Sequence, residues 1–315
     1  MNKKLVHNID WLEYTLFSDL KETLLMLQID TNGISECGGR LGYKKGLTIQ
    51  DILILHDGKK EMGIHVRLSG KALAQYVNVE SLMERIIKTQ GKITRLDLAL
   101  TIEGHKLTIE EVTKRLQRNL VSSRWREYSL VESAKISGEK TGKTLYLGKR
   151  SSNVFCRYYD KKAESNGLID GERLELELKK EAADIAAREI VNGRSSSRVM
   201  IDILSKYIKI FSEKKGQNKA RWVIDEEYQS LIRGAESIKM TKPQELKTLE
   251  EYKKIWEKQS AGMTLAIVNC ENDWGWIIEC LKRNQSKLKN KYKKLIEEEL
   301  SKNGHEQHND NRSRG

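Results

Sequence analysis

The sequence predicts an α+β protein, with a central antiparallel sheet flanked by helices and followed by a mainly helical C-terminal region. Strand-like and helix-like segments alternate over the first 195 residues, and two of the strand segments carry leucine at every second position. From residue 196 to residue 302 nearly all of the chain has helical apolar spacing. No period of about 20–50 residues recurs, so a repeat architecture is not expected.

The predicted elements of the first part follow one another with short connections, which favours antiparallel neighbours. The strands are expected at 5–17, 47–57, 63–70, 92–104, 125–135, 142–150, 153–160 and 172–180, and the helices at 19–29, 71–90, 107–120 and 179–193. Thr108 and Glu111 form a Thr-x-x-Glu pattern that predicts an N-terminal helix cap. The last of these helices is expected to end at Asn192-Gly193.

We expect three parts along the chain: a sheet-containing domain over 1–195, a helical DNA-binding or accessory region over 196–302 and a disordered polar tail over 303–315. The tail is expected to be disordered because it is polar and lacks apolar spacing. In the helical region we expect tryptophans to pack a bundle, with stacking on exposed bases as the alternative; they are Trp222, Trp256, Trp274 and Trp276.

The net charge of +12 and the pI near 9.3 predict a polyanionic partner, nucleic acid in preference to an acidic membrane surface. No apolar run is long enough to cross a bilayer, and the N-terminus does not resemble a signal peptide. The four cysteines lie far apart without a Cys-x-x-Cys pair, which indicates free thiols in a reducing cytoplasm.

Two predicted strands share one pattern, TRLDLALT at 94–101 and ERLELELKK at 172–180. Alternation places the leucines of each strand on a core face and an Arg-x-acid pair on the opposite face. The polar faces are either solvated sheet surface with cross-strand pairs or a site where Asp97 and Glu175 converge on a divalent cation. Carboxylate oxygens suit Mg²⁺ or Mn²⁺ better than zinc. His65 is more readily explained as a structural histidine than as a ligand.

The segment NVFCRYYD contains two adjacent tyrosines, and strand alternation distinguishes them. Tyr158 shares a face with Val154 and Cys156, which marks it as a core residue. Tyr159 shares the polar face with Arg157, and Lys161 joins them if the strand continues. Because cations favour the phenolate, we expect the pKa of Tyr159 to be lowered, which would make it a nucleophile toward phosphorus.

Taken in order, IDWLEYT, HVRLSG, TRLDLAL, TLYLGKRSSNVFCRYYDKKAE and ERLELELKK resemble the Rep_trans family over about residues 8–190. That family contains rolling-circle plasmid replication initiators and related conjugative relaxases. The resemblance implies an HUH-like fold without the His-hydrophobic-His motif, in which acidic residues of the sheet bind the metal. It maps the family tyrosine onto Tyr159 and the acidic positions onto Asp97 and Glu175, whereas Glu177 stands where a basic residue is more usual.

The implied reaction is metal-dependent nicking of one DNA strand through a 5′-phosphotyrosine, followed by rejoining of strands. The residues expected to serve it fall into three groups. They are Tyr159, Lys161 and Arg157 for catalysis; Asp97 and Glu175 for the metal, with Tyr158, His65 and Glu177 as possible additions; and Arg95, Arg173, Lys179, Lys282, Arg283, Lys287, Lys289 and Lys291 for DNA. The alternatives are a conjugative relaxase acting at a transfer origin and a DNA-binding protein that has lost the activity.

The segment LKRNQSKLKNKYKKL at 281–295 holds seven basic residues and no acidic one. It is either a solvated surface helix or a contact to the DNA backbone. The helix that starts near Ser195 is a second candidate for phosphate contacts through its first amides. We expect origin DNA as the partner, single-stranded or extruded at the nick, with a host helicase, a polymerase and a second copy of the chain as further possible partners.

Overall fold

The computed structural model describes residues 4–29, 33–165, 167–233, 248–285, 295–296 and 299–300. The chain divides into two compact units, Met1–Lys242 and Pro243–Gly315. This division lies beyond the predicted boundary at residue 195, because Val199, Met200 and Ile203 just after that boundary are buried in the core of the first unit. The predicted disordered tail, 303–315, lies outside the described residues.

Ten strands of the described chain form one antiparallel sheet in the first unit, in the order β2-β3-β4-β5-β1-β6-β11-β10-β9-β8, and β13-β12-β7 form a second, three-stranded sheet. The strands are β1 Lys4–Leu16, β2 Ser35–Gly38, β3 Lys45–Ile49, β4 Ile52–His56, β5 Ile64–Ser69, β6 Lys92–Glu103, β7 Val121–Ser123, β8 Tyr128–Ala134, β9 Lys140–Leu147, β10 Val154–Asp160, β11 Glu172–Lys179, β12 Ile208–Glu213 and β13 Val223–Ile224. The strands β1, β6, β11 and β10, which carry the predicted site, are therefore adjacent at the centre of the large sheet.

The helices of the first unit are α1 Leu20–Leu27, α2 Gly70–Leu73, α3 Val79–Lys88, α4 Ile109–Gln117, α5 Lys161–Glu164, α6 Glu181–Val191, α7 Ser196–Tyr207 and α8 Glu226–Leu231. Side-chain caps fix several of their starts. The predicted cap of α4 is confirmed, since the Thr108 hydroxyl accepts a hydrogen bond from the Glu111 amide at 3.3 Å. Asp160 caps α5 in the same way, and this ends β10 directly after Tyr159.

The leucines of β6 and β11 form the core face of the sheet, as alternation predicts. Leu96, Leu98 and Leu100 are at most 1% exposed, and Leu176 and Leu178 are fully buried. The helices α3, α6 and α7 pack on β6 from this side. Their alanine and leucine side chains therefore exclude water from one face and leave the Arg-x-acid face free for chemistry.

Three parts of the predicted secondary structure are wrong in detail. Residues 47–57 form a hairpin, β3 and β4, rather than one strand, because Gln50 and Asp51 both have left-handed backbones with φ of 44° and 66°. The helix predicted at 71–90 is broken between α2 and α3, where Asn78 starts a new helix by capping the Ser81 amide. The region from 196 is not entirely helical, since β12 pairs with β7 of the first unit.

The second unit contains the helices α9 Leu249–Trp256, α10 Gly262–Glu271 and α11 Gly275–Asn284, with a π-helical turn at Glu257–Ala261. Its tryptophans do not pack a bundle as predicted, because Trp256, Trp274 and Trp276 are 53%, 60% and 44% exposed. Trp222 is buried in the first unit instead, edge-on to Phe211. Across the described residues, none of the helices has the length and apolarity needed to span a membrane.

Candidate active site

Strand register assembles one continuous polar face across the four central strands. Along β6 and β11, Arg95 lies opposite Lys179 and Asp97 opposite Glu177. The remaining cross-strand pairs of this face are Glu175 with Arg157, Arg173 with Tyr159, and Glu13 with both Arg95 and Arg67. Because alternate residues of a strand share a face, nearly all of the predicted site residues in the sheet lie on the same surface.

Tyr159 ends the polar row of β10 and is partly buried. Its Oη donates a hydrogen bond of 2.5 Å to Oε1 of Glu175, and Nζ of Lys161 lies 5.7 Å from the centre of its ring. Burial, followed by the charge and hydrogen bond of Glu175, raises the pKa of Tyr159, and Arg173 opposes that rise only in part. The expectation of a lowered pKa is therefore wrong in this structure, because burial and the adjacent Glu175 carboxylate outweigh the nearby cations.

Arg157 lies at the point where three carboxylates converge. Its Nη2 is 3.0 Å from Oε2 of Glu175, 3.3 Å from Oδ2 of Asp97 and 3.5 Å from Oε2 of Glu177. Each oxygen of Glu175 thus has its own partner, one facing Tyr159 and the other facing Arg157. Asp97 and Glu175, which were predicted to converge on a divalent cation, both lie within 3.3 Å of the Arg157 guanidinium in this structure, and their role as metal ligands stays a prediction.

Asp97 and Glu177 are the most deeply buried acids of the face, 2% and 1% exposed. Arg95 donates to both oxygens of Asp97, at 2.8 and 2.6 Å, and to Glu177 at 3.1 Å. Burial raises the pKa of Asp97 to about 6 against the opposing effect of Arg95. Burial also acts to raise the pKa of Glu177, but Lys179, Arg95 and Arg157 outweigh it and lower that pKa. Lys179, 2.6 Å from Glu177, is therefore a partner of this acid.

Glu13 of β1 completes the face and was missed by the sequence analysis. It accepts hydrogen bonds from Arg67 at 2.9 Å and Trp11 at 2.8 Å, and its second oxygen lies 3.4 Å from Nε2 of His65. Burial acts to raise the pKa of Glu13, but the hydrogen bonds from His65 and Trp11 and the charge of Arg67 lower it to about 2. His65 therefore lies with Glu13, and the structure records no contact between it and Asp97 or Glu175.

Asp10 was also missed, and a β-bulge places it. The pairing of β1 with β6 shifts between Ile9 and Trp11, so that Asp10 is an extra residue in β1. A bulge of this kind re-aims a side chain. Nη2 of Arg173 donates to both Asp10 oxygens, at 2.7 and 2.6 Å, which fixes Arg173 beside Tyr159. A register shift of one residue has no signature in the sequence.

Tyr158 lies on the opposite face, as alternation predicts, and is 4% exposed. Its hydroxyl contacts Oε2 of Glu172 at 2.5 Å and donates to the Leu107 carbonyl at 2.6 Å, and it lies 3.1 Å from Nε2 of His105. Burial and the charge of Glu172 raise its pKa well above the ordinary value. Tyr158 is a structural residue that anchors β10 to the loop before α4.

With this geometry in view, comparison with known proteins is informative. Residues 91–274 match the model of the Rep_trans family, which is described as a replication initiation factor. The chain belongs to the Rep_trans family.

Two relatives extend this assignment. The putative DNA relaxase NicK of Bacillus subtilis (strain 168) is 23% identical in an alignment 252 positions long, which covers 73% of this chain and 70% of NicK. The structure of a rolling circle replication initiator protein from Geobacillus stearothermophilus matches with a TM-score of 0.68 at 26% identity, covering 73% of this chain and 96% of that one. The predicted HUH-like α+β fold and the Rep_trans resemblance are confirmed, and the chain is a member of the rolling-circle initiator family.

Rep_trans initiators and relaxases are DNA nickases and generally use a divalent metal ion. Among the described residues, no group of three or more His, Cys, Asp and Glu is already arranged to hold a metal. The donor chemistry nevertheless suits Mg²⁺ or Mn²⁺, since carboxylate oxygens of Asp97, Glu175 and Glu177 all lie within 3.5 Å of one nitrogen of Arg157. A metal ion at that point requires the Arg157 side chain to move away.

The predicted basic residues outside the sheet belong to the second unit. Lys282 and Arg283 lie in the last turn of α11, and both are exposed. Lys287, Lys289 and Lys291 lie outside the described residues. The role of this basic segment in DNA binding stays a prediction.

Proposed function

We propose that this protein is a tyrosine-dependent DNA nickase and strand transferase that starts rolling-circle replication, with Tyr159 as the nucleophile. The observation that carries the proposal is the hydrogen bond from Tyr159 Oη to Glu175 Oε1, at 2.5 Å, on a sheet face lined with arginines. A phenol next to a carboxylate has an acceptor for its proton, and the arginines suit a phosphodiester.

In the proposed reaction Oη of Tyr159 attacks the scissile phosphorus, and the bond from phosphorus to the 3′ oxygen breaks. The phenolic proton passes to Glu175, and the departing 3′ oxygen takes a proton from water. The products are a 5′-phosphotyrosine and a free 3′-hydroxyl. Attack by a 3′-hydroxyl on the phosphotyrosine reverses these steps and rejoins the strand, because the phosphodiester has been exchanged and not hydrolysed.

Arg157 and Arg173 flank the hydrogen bond between Tyr159 and Glu175 on two sides. Arg157 is 3.0 Å from one oxygen of Glu175, and Arg173 is 3.6 Å from the other. Arg173 in this position neutralises the non-bridging phosphate oxygens and stabilises the charge that develops during attack, and Arg157 joins it once its side chain has moved away from the carboxylates to admit the metal ion. Lys161 supports the phenolate from above the ring of Tyr159.

For the cofactor we propose Mg²⁺ or Mn²⁺, held by Asp97 and Glu175 with Glu177 as a further ligand. When bound, the ion would supply positive charge at the scissile phosphate. This assignment is supported by the convergence of the three carboxylates on Arg157 Nη2.

The test is a covalent-adduct assay on single-stranded oligonucleotides from the replicon that carries the gene, with Mg²⁺, Mn²⁺ or EDTA. We expect a metal-dependent protein–DNA band whose attached residue maps to Tyr159 by peptide sequencing. Tyr159→Phe should abolish the band while sparing DNA binding. Tyr158→Phe is the matched control, since its hydroxyl lies on the other side of the sheet, and it should retain the adduct. An adduct that survives Tyr159→Phe but not Tyr158→Phe would refute the assignment.

A conjugative relaxase is the second candidate, favoured by the similarity to the relaxase NicK. The chemistry is the same, so only the DNA distinguishes the two. Oligonucleotides from the transfer origin and from the replication origin should be compared in the same assay. Tight DNA binding without an adduct on either set would favour a non-catalytic DNA-binding protein.

We further propose that the exposed Lys282 and Arg283 of α11 contact the DNA backbone. The double variant Lys282→Ala/Arg283→Ala should then weaken binding equally for all sequences and reduce the slope of log K against log salt by about 2. An unchanged slope would assign these residues to solvated surface. Helicase and polymerase partners, dimer formation and a cytoplasmic location remain part of the proposal and need their own assays.

A further inference from the structure

Two grooves of the first unit meet at Arg173. The first groove has a volume of about 520 Å³ and is bordered by His7, Asp10, Tyr76, Lys161 and Ser196. The second groove has a volume of about 380 Å³ and is bordered by Val6, Thr101, Leu168, Ile169 and Asp170. Asn8 and Arg173 line both grooves, so these two side chains form the divide between them.

Arg173 is held rigidly at this divide and is only 5% exposed. Besides donating to Asp10, its Nη2 donates to the Asn8 side-chain oxygen at 3.2 Å, in the amide orientation in which the Asn8 nitrogen also donates to the His7 carbonyl. Its Nε makes no hydrogen bond and lies 3.6 Å from Oε1 of Glu175, which also accepts the hydrogen bond from Tyr159. The guanidinium and the proposed nucleophile therefore share one carboxylate oxygen. A phosphate attacked by Tyr159 lies within reach of Arg173, and its two neighbouring nucleotides extend to either side of the divide.

The first groove has the lining expected for a nucleotide with its phosphate. Lys161 contributes a cation, and the N-terminus of α7, a helix of 12 residues, opens at Ser196. Nδ1 of His7 is buried without a hydrogen-bond partner in the described part of the chain. The recorded pairing of β1 with β5 begins at Trp11. Residues 7–10, which precede it in β1, therefore border this groove along the β5-facing edge of the strand. Unpaired imidazole and strand-edge groups provide hydrogen bonds for the edge of a base.

The second groove has a different lining, with two large apolar side chains on its rim. Leu168 is 88% exposed and Ile169 is 40% exposed. Leu168 and Ile169 are adjacent in the chain, and a flat base packed against them would remove both from water.

We propose that the two grooves are subsites for the two nucleotides that flank the scissile phosphate, one nucleotide in each, with Arg173 beneath the phosphate between them. This inference rests on the proposed function, because it takes Tyr159 as the nucleophile that locates the phosphate. It adds a prediction that nicking alone does not make: each groove recognises a different neighbour of the nick.

The test is a crossed abasic experiment on the full chain. The nick position is first mapped by the adduct on wild-type protein. Binding is then measured by fluorescence anisotropy in the Tyr159→Phe background, which prevents cleavage, with three oligonucleotides: intact, abasic immediately 5′ of the nick and abasic immediately 3′ of it. His7→Ala and the groove-filling Ala74→Trp probe the first groove, and Leu168→Ala/Ile169→Ala probes the second. His56→Ala and Val131→Ala, at positions outside both grooves, are the matched controls.

We expect each groove variant to weaken binding of the intact oligonucleotide about tenfold, a value typical of the loss of one base contact. The same variant should have no effect on the oligonucleotide that lacks the base in its own groove, and the two grooves should select opposite abasic positions. Equal losses on all three oligonucleotides, or both grooves selecting the same position, would overturn the inference while leaving the nickase intact. Absence of any adduct with wild-type protein would refute the proposed function and this inference with it.

Discussion

Replacing Arg157 by methionine tests whether the three carboxylates around it form a latent cation site. The substitution keeps an unbranched apolar stem and removes the guanidinium, the only charge that contacts Glu175, Asp97 and Glu177 together among the described contacts. Removing one partner of a buried ion pair costs about 3–5 kcal/mol, because the opposite charge stays buried. Arg157 retains 24% side-chain exposure, and solvent screening therefore places the expected loss below that range, at about 2–3 kcal/mol.

For a unit of this size such a loss corresponds to a fall in Tm of about 5–10 °C. The assay is thermal unfolding followed by circular dichroism, in EDTA and in increasing Mg²⁺ or Mn²⁺. A metal ion at about 100 times its Kd stabilises the folded state by about 2.7 kcal/mol, so it should restore most of the loss. Wild-type protein should respond less, because its own guanidinium competes with the ion.

Lys143→Met is the matched control. Lys143 also bridges two acids, Glu110 at 2.9 Å and Glu132 at 2.7 Å, but it lies outside the candidate active site. Its loss should not create a metal response. The reasoning would be refuted by an Arg157→Met variant as stable as wild type in EDTA, or by equal metal shifts in all three proteins.

Three further predictions concern single positions. Because the pKa of Glu13 is lowered to about 2, its contribution to stability is present above its ordinary pKa of 4.5 and is lost as the pH falls through 2. Glu13→Gln should therefore reduce the free energy of unfolding at pH 7 by about 2–3 kcal/mol. Urea denaturation should show no difference between this variant and wild type near pH 2. Glu175→Gln should lower the pKa of Tyr159, since it removes a nearby negative charge, and an unchanged tyrosine titration by ¹³C NMR would contradict the assigned contact. Asp51→Gly should raise the free energy of unfolding by up to about 1 kcal/mol, because the left-handed backbone at φ 66° no longer carries a Cβ; a loss of stability in chemical denaturation would argue against strain at this turn.

The sequence was sufficient to predict which side chains share a face, because strand alternation depends only on local geometry. Tyr159 and Arg157 were separated from Tyr158 and Cys156 in this way, and the structure agrees. The signal for Glu13 was present in the same form, since WLEYTLF alternates polar or amphipathic with core positions.

Other features depend on contacts between strands and could not be predicted from alternation. Asp10 reaches Arg173 only because β1 has an extra residue relative to β6. The order of proximity around Tyr159 is a second example. The sequence indicated that Arg157 and Lys161 share its face, but it did not indicate that Glu175 lies closer to the phenol than either cation. The direction of the pKa shift follows first from the burial of the phenol and then from this contact with Glu175.

The charges on this face explain how a bound phosphodiester would change the ion pairs around Tyr159. In this structure Arg157 and Arg173 are held by carboxylates, Glu175 among them, and Glu175 in turn raises the pKa of Tyr159. A phosphate that enters between the two arginines competes with those carboxylates for the same donors, and its own charge is matched by groups that are already in position. Arg173 then loses little conformational entropy on binding, since its ion pairs with Asp10 and Glu175 hold it before the substrate arrives. Arginine-to-lysine changes at 157 and 173 should therefore impair nicking although they keep the charge, because a lysine cannot contact a carboxylate and a phosphate through separate planar donors.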